Sequence, residues 1–142
     1  MELRICIDVD DMERAITFYT DGLSLRCGRR FQSGFTELLG AGSPIDLLLN
    51  AAGTKPLVGQ DATRSYQRHW TPVHLDFVVD DIEAAVTRLL AHGAVLEMPV
   101  QDRAWGHIAG LADPFGHGID LLQFTGRGYD ELIKPEHSLS NT

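Results

Sequence analysis

One sequence motif occurs twice, once in each half of the chain. Residues 7–15 read IDVDDMERA, and residues 77–85 read FVVDDIEAA. In both places an apolar stretch runs through two aspartates into an amphipathic segment, and the letters IDLL follow later, at residues 45–48 and 119–122. A repeated segment indicates that one structural unit is used twice. Because paired units usually share a site at their junction, we expect functional residues from both halves to converge there.

Each half of the chain shows the same order of predicted elements. Residues 3–9 alternate between apolar and polar side chains, as in a strand with one buried face. An aspartate at position 10 or 11 then begins a helix that is expected to end near Gly22, and turn signals separate three further strands. The second half repeats this order. The pattern therefore predicts an α+β fold built from two βαβββ modules.

We divide the chain into two modules, a connector and a tail within one domain. The modules are residues 1–50 and 73–124. Residues 51–72 are polar and contain Gly and Pro, which is typical of a connector. Residues 125–142 form a C-terminal tail, in which one helical turn is expected near Tyr129 and the polar end is expected to be loose.

The charge of the chain argues against two classes of partner. The net charge is -8, and residues 72–142 carry 11 Asp and Glu against 4 Lys and Arg. Nucleic acids and anionic membranes are bound through basic patches, so neither is an expected partner, whereas a cationic ligand suits this charge. Many of the acids also lie at predicted helix starts, where capping explains them without any ligand.

The cysteines and the start of the chain bear on its location. Cys6 and Cys27 are the two cysteines, and they show no CxxC spacing. The first residues lack the basic and apolar regions of a signal peptide, and no apolar run approaches the roughly 20 residues of a membrane span. We therefore expect a cytoplasmic protein with reduced thiols, in which Cys6 is buried and inert.

Further motifs give the chain a family resemblance. Phe18 and Tyr19 are followed by Gly22 and Leu23, and residues 113–121 read DPFGHGIDL. With the paired βαβββ order, these motifs make residues 3–124 similar to the glyoxalase/bleomycin-resistance/extradiol-dioxygenase superfamily, the vicinal oxygen chelate fold. The resemblance implies curved mixed sheets around a shared cavity, and a homodimer. It does not select an activity, because this fold hosts isomerases, dioxygenases, thiol transferases and drug-binding proteins.

The resemblance also implies where a metal site would lie. Metal-using members place a His seven residues before the second Asp of each helix start, and an acid in the last strand of each module. His74 and Asp120 hold these positions in the second module, which makes them the candidate metal ligands. Asp46 holds the acidic position in the first module. Arg4 stands where the first His would be, and an arginine cannot bind a metal because it stays protonated.

Arg4 therefore makes the implied metal site incomplete. We expect Arg4 to pair with carboxylates such as Asp46, and its charge to disfavour a divalent ion beside His74 and Asp120. A bound Ni, Zn, Mn or Fe is the alternative. It would use His74, Asp120 and a third ligand, for which His107 is the candidate.

Strand alternation adds candidate ligand-binding residues. If the candidate metal ligands face the cavity, Asp76 and Phe124 on the same two strands face it as well. Trp105 and His107 are expected to share one face of another strand, and the resemblance suggests that Trp105 stacks there on a planar or cationic ligand. The alternative is that Trp105 belongs to the core and that His107 is a half-exposed strand residue.

Two functions of different classes follow. The first, which we adopt, is a small-molecule-binding protein of the bleomycin-resistance kind, with an acidic, aromatic-lined cavity and an incomplete metal site. The second is a metal-dependent lyase, isomerase or dioxygenase acting on vicinal oxygens, with His74, Asp120 and Asp46 as catalytic residues. A third interpretation has Arg4 bind an anionic substrate for metal-free chemistry at His74. The sequence leaves open whether the chain is an enzyme.

Overall fold

Two modules of the same design make up the protein. The computed structural model describes residues 1–134, so the tail end that was expected to be loose lies outside the described residues. The elements of the first module are β1 (Ile5–Val9), α1 (Met12–Leu23), β2 (Arg26–Phe31), β3 (Phe35–Leu39) and β4 (Ile45–Leu49). Those of the second are β5 (Leu75–Val78), α2 (Ile82–Ala91), β6 (Val95–Arg103), β7 (Gly106–Ala112) and β8 (Gly118–Phe124). A 3-10 helix, Gly128–Leu132, follows. The predicted α+β fold of two βαβββ modules is confirmed.

Each module contains one four-stranded mixed sheet with the same strand order. Sheet 1 has the order β1-β4-β3-β2, and sheet 2 has the order β5-β8-β7-β6. The first and last strands of each module pair in parallel, and the remaining pairs are antiparallel. The strand that carries the letters IDLL is therefore central in each sheet. No strand pairing joins the two sheets within residues 1–134.

The second aspartate of each repeated pair is a helix cap. A side-chain oxygen of Asp11 accepts a hydrogen bond from the backbone N–H of Arg14 at 3.0 Å, and Asp81 accepts one from Ala84 at 3.0 Å. Each cap satisfies one of the free N–H groups in the first helical turn. The local chemistry of helix starts thus explains Asp11 and Asp81 without any ligand.

The two helices pack against each other at the junction of the modules. Gly22 lies inside α1, which runs to Leu23, one residue beyond the expected end. A Cβ atom at Gly22 would lie 2.7 Å from Cδ2 of Leu89, which is a fully buried residue of α2. The absence of a side chain at Gly22 therefore lets the two helices approach closely.

A buried carboxylate joins the modules at a second point. Asp113 belongs to the turn before β8, and its Oδ2 atom accepts a 2.6 Å hydrogen bond from the hydroxyl of Tyr19 in α1. Both residues are almost fully buried. Its Oδ1 atom accepts the backbone N–H groups of Phe115 and His117 at 2.9 and 2.8 Å. Asp113 therefore holds the turn into β8 and fixes that turn to the first module.

The connector, residues 51–72, is attached to both modules. Arg64 donates to Asp8 at 2.8 Å, and Arg68 donates to Glu97 on β6 at 2.6 Å.

No helix within residues 1–134 combines the length and the apolar character needed to cross a membrane.

We predict that Gly106→Ala destabilises the fold strongly. Gly106 begins β7 with a φ of +147°, and a Cβ atom there would lie 1.9 Å from the backbone oxygen of Gln123. Because backbone must move to relieve this clash, we expect the free energy of unfolding in urea to fall by about 2–4 kcal/mol. Gly42→Ala is the matched control, since nothing lies within 4 Å of its Cβ position. Equal stabilities of the two variants would contradict the described β7–β8 register.

Candidate functional site

Each sheet has one face covered by its helix and one open face. Residues directly opposite each other in paired strands point to the same side. In sheet 1 the open face carries Asp46 between Cys6 on β1 and Glu37 on β3. In sheet 2 it carries Asp120 beside Asp76 on β5. The two acidic positions that the sequence singled out therefore occupy equivalent places on the two open faces.

On the open face of sheet 1, Arg4 is paired with two carboxylates. Its Nε and Nη2 atoms donate to the two oxygens of Asp46 at 2.9 and 2.6 Å, and Nη2 also donates to Glu37 at 2.6 Å. Arg29 donates to the same oxygen of Glu37 at 2.7 Å. We call Arg4, Arg29, Glu37 and Asp46 the arginine cluster. The bidentate pairing of Arg4 with Asp46 is the geometry that the sequence suggested.

The arginine cluster keeps its carboxylates ionised. Hydrogen bonds from Arg29 and then Arg4 lower the pKa of Glu37 to about 2, although its low solvent exposure acts in the opposite direction. The pKa of Arg4 is raised above its usual value, chiefly by its hydrogen bond with Asp46. The sequence analysis missed Glu37. The alternation within β3 and the antiparallel pairing of β3 with β4 were the signals that could have placed it opposite Asp46.

On the open face of sheet 2, one imidazole lies between two carboxylates. Nε2 of His74 lies 3.0 Å from Oδ1 of Asp76 and 3.4 Å from Oδ2 of Asp120. We call these three residues the histidine cluster. Burial raises the pKa of Asp120, with a further increase from Asp76 and an opposing effect of His74. Three donor atoms of the cluster lie within 4.8 Å of one another. Asp76 is thus the third member of the cluster, beside His74 and Asp120.

His107 lies away from the histidine cluster. On β7, His107 pairs with Gln123 of β8, and Gly110 pairs with Asp120 of β8. His107 and Gly110 are an odd number of positions apart, so their side-chain positions face opposite sides of the sheet. His107 therefore points to the helix-covered side, and Asp120 to the open side. The Nδ1 atom of His107 lies 2.8 Å from Asp102 on β6. The structure therefore does not supply His107 as the third ligand, because strand alternation points its side chain to the other face.

Trp105 takes part in an aromatic cluster at the far end of sheet 2. It lies in the turn before β7, so strand alternation does not join it with His107. Its ring centroid lies 5.8 Å from that of Phe124 and 5.1 Å from that of Tyr129, and the latter two are 4.8 Å apart. Phe124 and Tyr129 are 39% and 50% exposed, so this aromatic cluster lies at the surface. Its members are Trp105, Phe124 and Tyr129.

The aromatic cluster and the histidine cluster lie on one open face. Asp120, Leu122 and Phe124 alternate along β8 and therefore point to the same side. The distance along the strand from Asp120 to Phe124 is about 13 Å at roughly 3.3 Å per residue. An acidic end and an aromatic end thus lie on the same face of sheet 2, with the buried Leu122 between them.

The arginine and histidine clusters are not connected to each other. No hydrogen bond or ion pair in the described part of the chain joins Arg4 or Asp46 to His74 or Asp120. Arg4 was expected beside the acidic residues of both modules. In the structure its contacts are with Asp46 and Glu37 of the first module. The side-chain contacts of each cluster lie within its own module.

A cleft of about 380 Å³ lies where the modules meet. We call it the seam cleft. It is lined by β1, by Tyr19 of α1, and by residues before and within β5 and β8, with His74 and His117 among them. Cys6 lines it and is exposed, so the expectation of a buried thiol was wrong. Side chains alternate along β1, and Cys6 points to the open side, whereas its neighbour Ile7 points into the core.

The donor groups fit a shared four-ligand metal site poorly. Both oxygens of Asp46 already accept from Arg4, and a guanidinium has no lone pair to offer a metal. The histidine cluster offers a different set, one imidazole nitrogen and two carboxylates, which suits Zn, Mn, Fe or Ni. A smaller site confined to sheet 2 is therefore the arrangement that fits an ion.

Comparison with known proteins agrees with the fold. A sequence profile described as "Glyoxalase-like domain" matches residues 4–122. No curated protein matches the chain in sequence.

Solved structures with the same fold cover nearly the whole chain at low identity. The genomically encoded fosfomycin resistance protein FosX from Listeria monocytogenes is 18% identical with a TM-score of 0.69, covering 94% of this chain and 98% of that one. A glyoxalase-related enzyme from Fulvimarina pelagi is 18% identical with a TM-score of 0.67, covering 87% of each chain. TioX from Micromonospora sp. ML1 is 18% identical with a TM-score of 0.63, covering 88% and 99%.

We predict that Glu37 makes the stability of the fold depend on acid pH. Its pKa is near 2 in the folded state against an ordinary value of 4.5, so its ion pairs stabilise the fold above about pH 4.5. This contribution is lost as the pH falls toward 2. The difference in free energy of unfolding between wild type and Glu37→Gln should therefore shrink from pH 5 to pH 2 in urea titrations. Glu2→Gln is the control; if it shows the same trend, the effect does not come from the arginine cluster.

Proposed function

We propose that this chain, which belongs to the glyoxalase-like domain family, is a small-molecule-binding protein with an acidic, aromatic-lined site and an incomplete metal site. The observation that carries the proposal is the bidentate pairing of Arg4 with Asp46. Arg4 thereby engages both carboxylate oxygens of Asp46, the acidic residue at the position where the family resemblance implies a metal ligand.

The open face of sheet 2 favours a ligand that is planar and positively charged. The histidine cluster has two carboxylates and no arginine, in contrast to the arginine cluster of sheet 1. The aromatic cluster at the other end of β8 offers surfaces on which a flat cation stacks favourably. Together with the surplus of acids in the second half, these features support recognition through charge at one end and stacking at the other.

We expect the planar cation proflavine to bind the protein and Trp105→Ala to weaken that binding by about tenfold or more, as for an aromatic anchor. Fluorescence polarisation measures the affinity, and acridine, which is neutral at pH 8, is the matched ligand that lacks the charge. Trp105→Phe retains an aromatic ring and should retain most of the affinity. If Trp105→Ala lowers the stability of the fold and leaves the affinity unchanged, Trp105 is a packing residue and the proposed site is wrong.

The second candidate is a metal-dependent lyase, isomerase or dioxygenase, and the histidine cluster favours it. His74, Asp76 and Asp120 would hold the ion, which would polarise neighbouring oxygens of a substrate. Asp46, the candidate base of this interpretation, is paired with Arg4 and thus poorly placed to take a proton. Loss of Mn²⁺ binding in Asp76→Asn, measured by electron paramagnetic resonance, would support this candidate against the first.

We also propose that the protein is a cytoplasmic homodimer. The edge strand β2 is exposed at every position and the edge strand β6 at most, and Val78 on the open face is 60% exposed. Covering such surfaces with a second copy would complete a cavity that each chain leaves open. The two free cysteines are consistent with a reducing compartment. A molar mass of one chain by light scattering would rule out the dimer.

A further inference from the structure

The seam cleft contains an imidazole held by a buried acid. His117 follows the turn that Asp113 organises, and its Nδ1 atom lies 2.8 Å from Oδ2 of Asp113. The side chain of Asp113 is fully buried, whereas that of His117 is 35% exposed and lines the cleft. Neither residue belongs to the histidine, arginine or aromatic clusters. The proposed function therefore leaves this pair unused.

The contacts of Asp113 determine which nitrogen of His117 carries a proton. Its carboxylate accepts two backbone N–H groups on Oδ1 and the Tyr19 hydroxyl on Oδ2, in addition to its contact with Nδ1. Burial, and then the charge of Asp113, raise the pKa of Tyr19, so its hydroxyl stays protonated and donates. An ionised carboxylate only accepts hydrogen bonds. Nδ1 must therefore be the N–H nitrogen of the neutral imidazole.

In the neutral ring, Nε2 of His117 is therefore the acceptor nitrogen. The ring edge that carries Nε2 points away from Asp113, and Nε2 has no hydrogen-bond partner in residues 1–134. This is the arrangement by which a carboxylate sets the tautomer and orientation of a histidine. The fold thus orients the imidazole of His117 before any ligand binds.

The other strongly polar side chains of the cleft already have partners. Asp8 accepts from Asn50 at 2.9 Å and from Arg64 at 2.8 Å. His74 contacts the acids of its own cluster, and the Thr71 hydroxyl donates to a backbone oxygen at 2.8 Å. The Tyr19 hydroxyl donates to Asp113, and the thiol of Cys6 is weakly polar. The remaining lining side chains are apolar: Ile5, Ile7, Val73, Leu75 and Ile119. Nε2 of His117 and Nδ1 of His74 are therefore the ring nitrogens of the cleft that lack a partner within residues 1–134, and His117 is the one whose ring a fully buried carboxylate holds.

We propose that the seam cleft is a second binding site, for a small molecule with an apolar body and one hydroxyl group that donates to Nε2 of His117. A volume of about 380 Å³ lies in the usual range of small-molecule pockets, and apolar walls with few convergent polar groups are their usual composition. Phenol is the simplest probe of this chemistry. The proposal does not depend on the ligand of the open faces.

The first test compares phenol with anisole, which has the same ring but no hydroxyl donor. Wild-type protein should bind phenol about tenfold more tightly than anisole, the effect of one hydrogen bond to an oriented acceptor. Nitrogen NMR of the imidazoles should show the Nδ1–H tautomer of His117 and a shift of its Nε2 signal when phenol is added. Equal affinities for the two probes, or an unmoved Nε2 signal, would overturn the proposal.

His117→Asn is the variant that separates the two nitrogens. Its amide can still donate to Asp113 at the place of Nδ1, but nothing replaces Nε2. Phenol affinity should fall to the level of anisole, whereas the matched variant His92→Asn at the end of α2 should bind like wild type. An unchanged phenol affinity in His117→Asn would overturn the proposal. If that variant does not fold, the two-probe comparison on wild-type protein still decides.

The two cysteines locate the bound probe. Cys6 lines the seam cleft, and Cys27 lies on the exposed edge strand β2. Saturating phenol should slow the alkylation of Cys6 by iodoacetamide severalfold and leave that of Cys27 unchanged, as followed by mass spectrometry of peptides. An unprotected Cys6 in the presence of bound phenol would place the binding elsewhere and overturn the proposal.

Discussion

The carboxylate of Asp113 is the constraint on which the arrangement of the molecule depends. Buried among four donors, it fixes the turn into β8 and binds that turn to Tyr19 of the first module. Since β8 is central in sheet 2 and carries Asp120 and Phe124, the position of this one turn sets the position of the acidic and aromatic ends of the open face. Removing a partner from such a buried charge is far more costly than removing a surface contact.

The two modules share a backbone design but differ in how they handle charge. On sheet 1, two arginines neutralise Glu37 and Asp46, so that face holds a closed ion-pair network. On sheet 2, one histidine faces Asp76 and Asp120, and that face keeps an excess of negative charge. The repeated fold thus supplies two equivalent positions, and a few substitutions give them opposite properties. This asymmetry, more than the fold itself, supports recognition of a cation on the second face.

How far the sequence could predict the structure follows from which interactions are local. Helix caps, strand alternation and the turn before β8 depend on neighbouring residues, so the two βαβββ modules could be predicted. The pairing of Arg4 with Asp46, which lie far apart in the sequence, followed from the family resemblance, which places both positions at one site. Glu37 lies opposite Asp46, and His107 points away from Asp120, because of the register between strands that are distant in the sequence. The buried link between Tyr19 and Asp113 joins distant parts of the chain, and no local pattern indicates it. The dimer and the roles of the site residues remain predictions.

The most direct test of the account is the metal content of the protein. Wild-type chain and the Arg4→His variant would be dialysed against low concentrations of nickel, zinc, manganese and ferrous ions, and the retained elements measured by mass spectrometry. If the arginine cluster has replaced the first half of a metal site, the wild type should retain far less than one ion per chain, and the variant should retain more. About one ion per wild-type chain would contradict the account and support a metal-dependent enzyme.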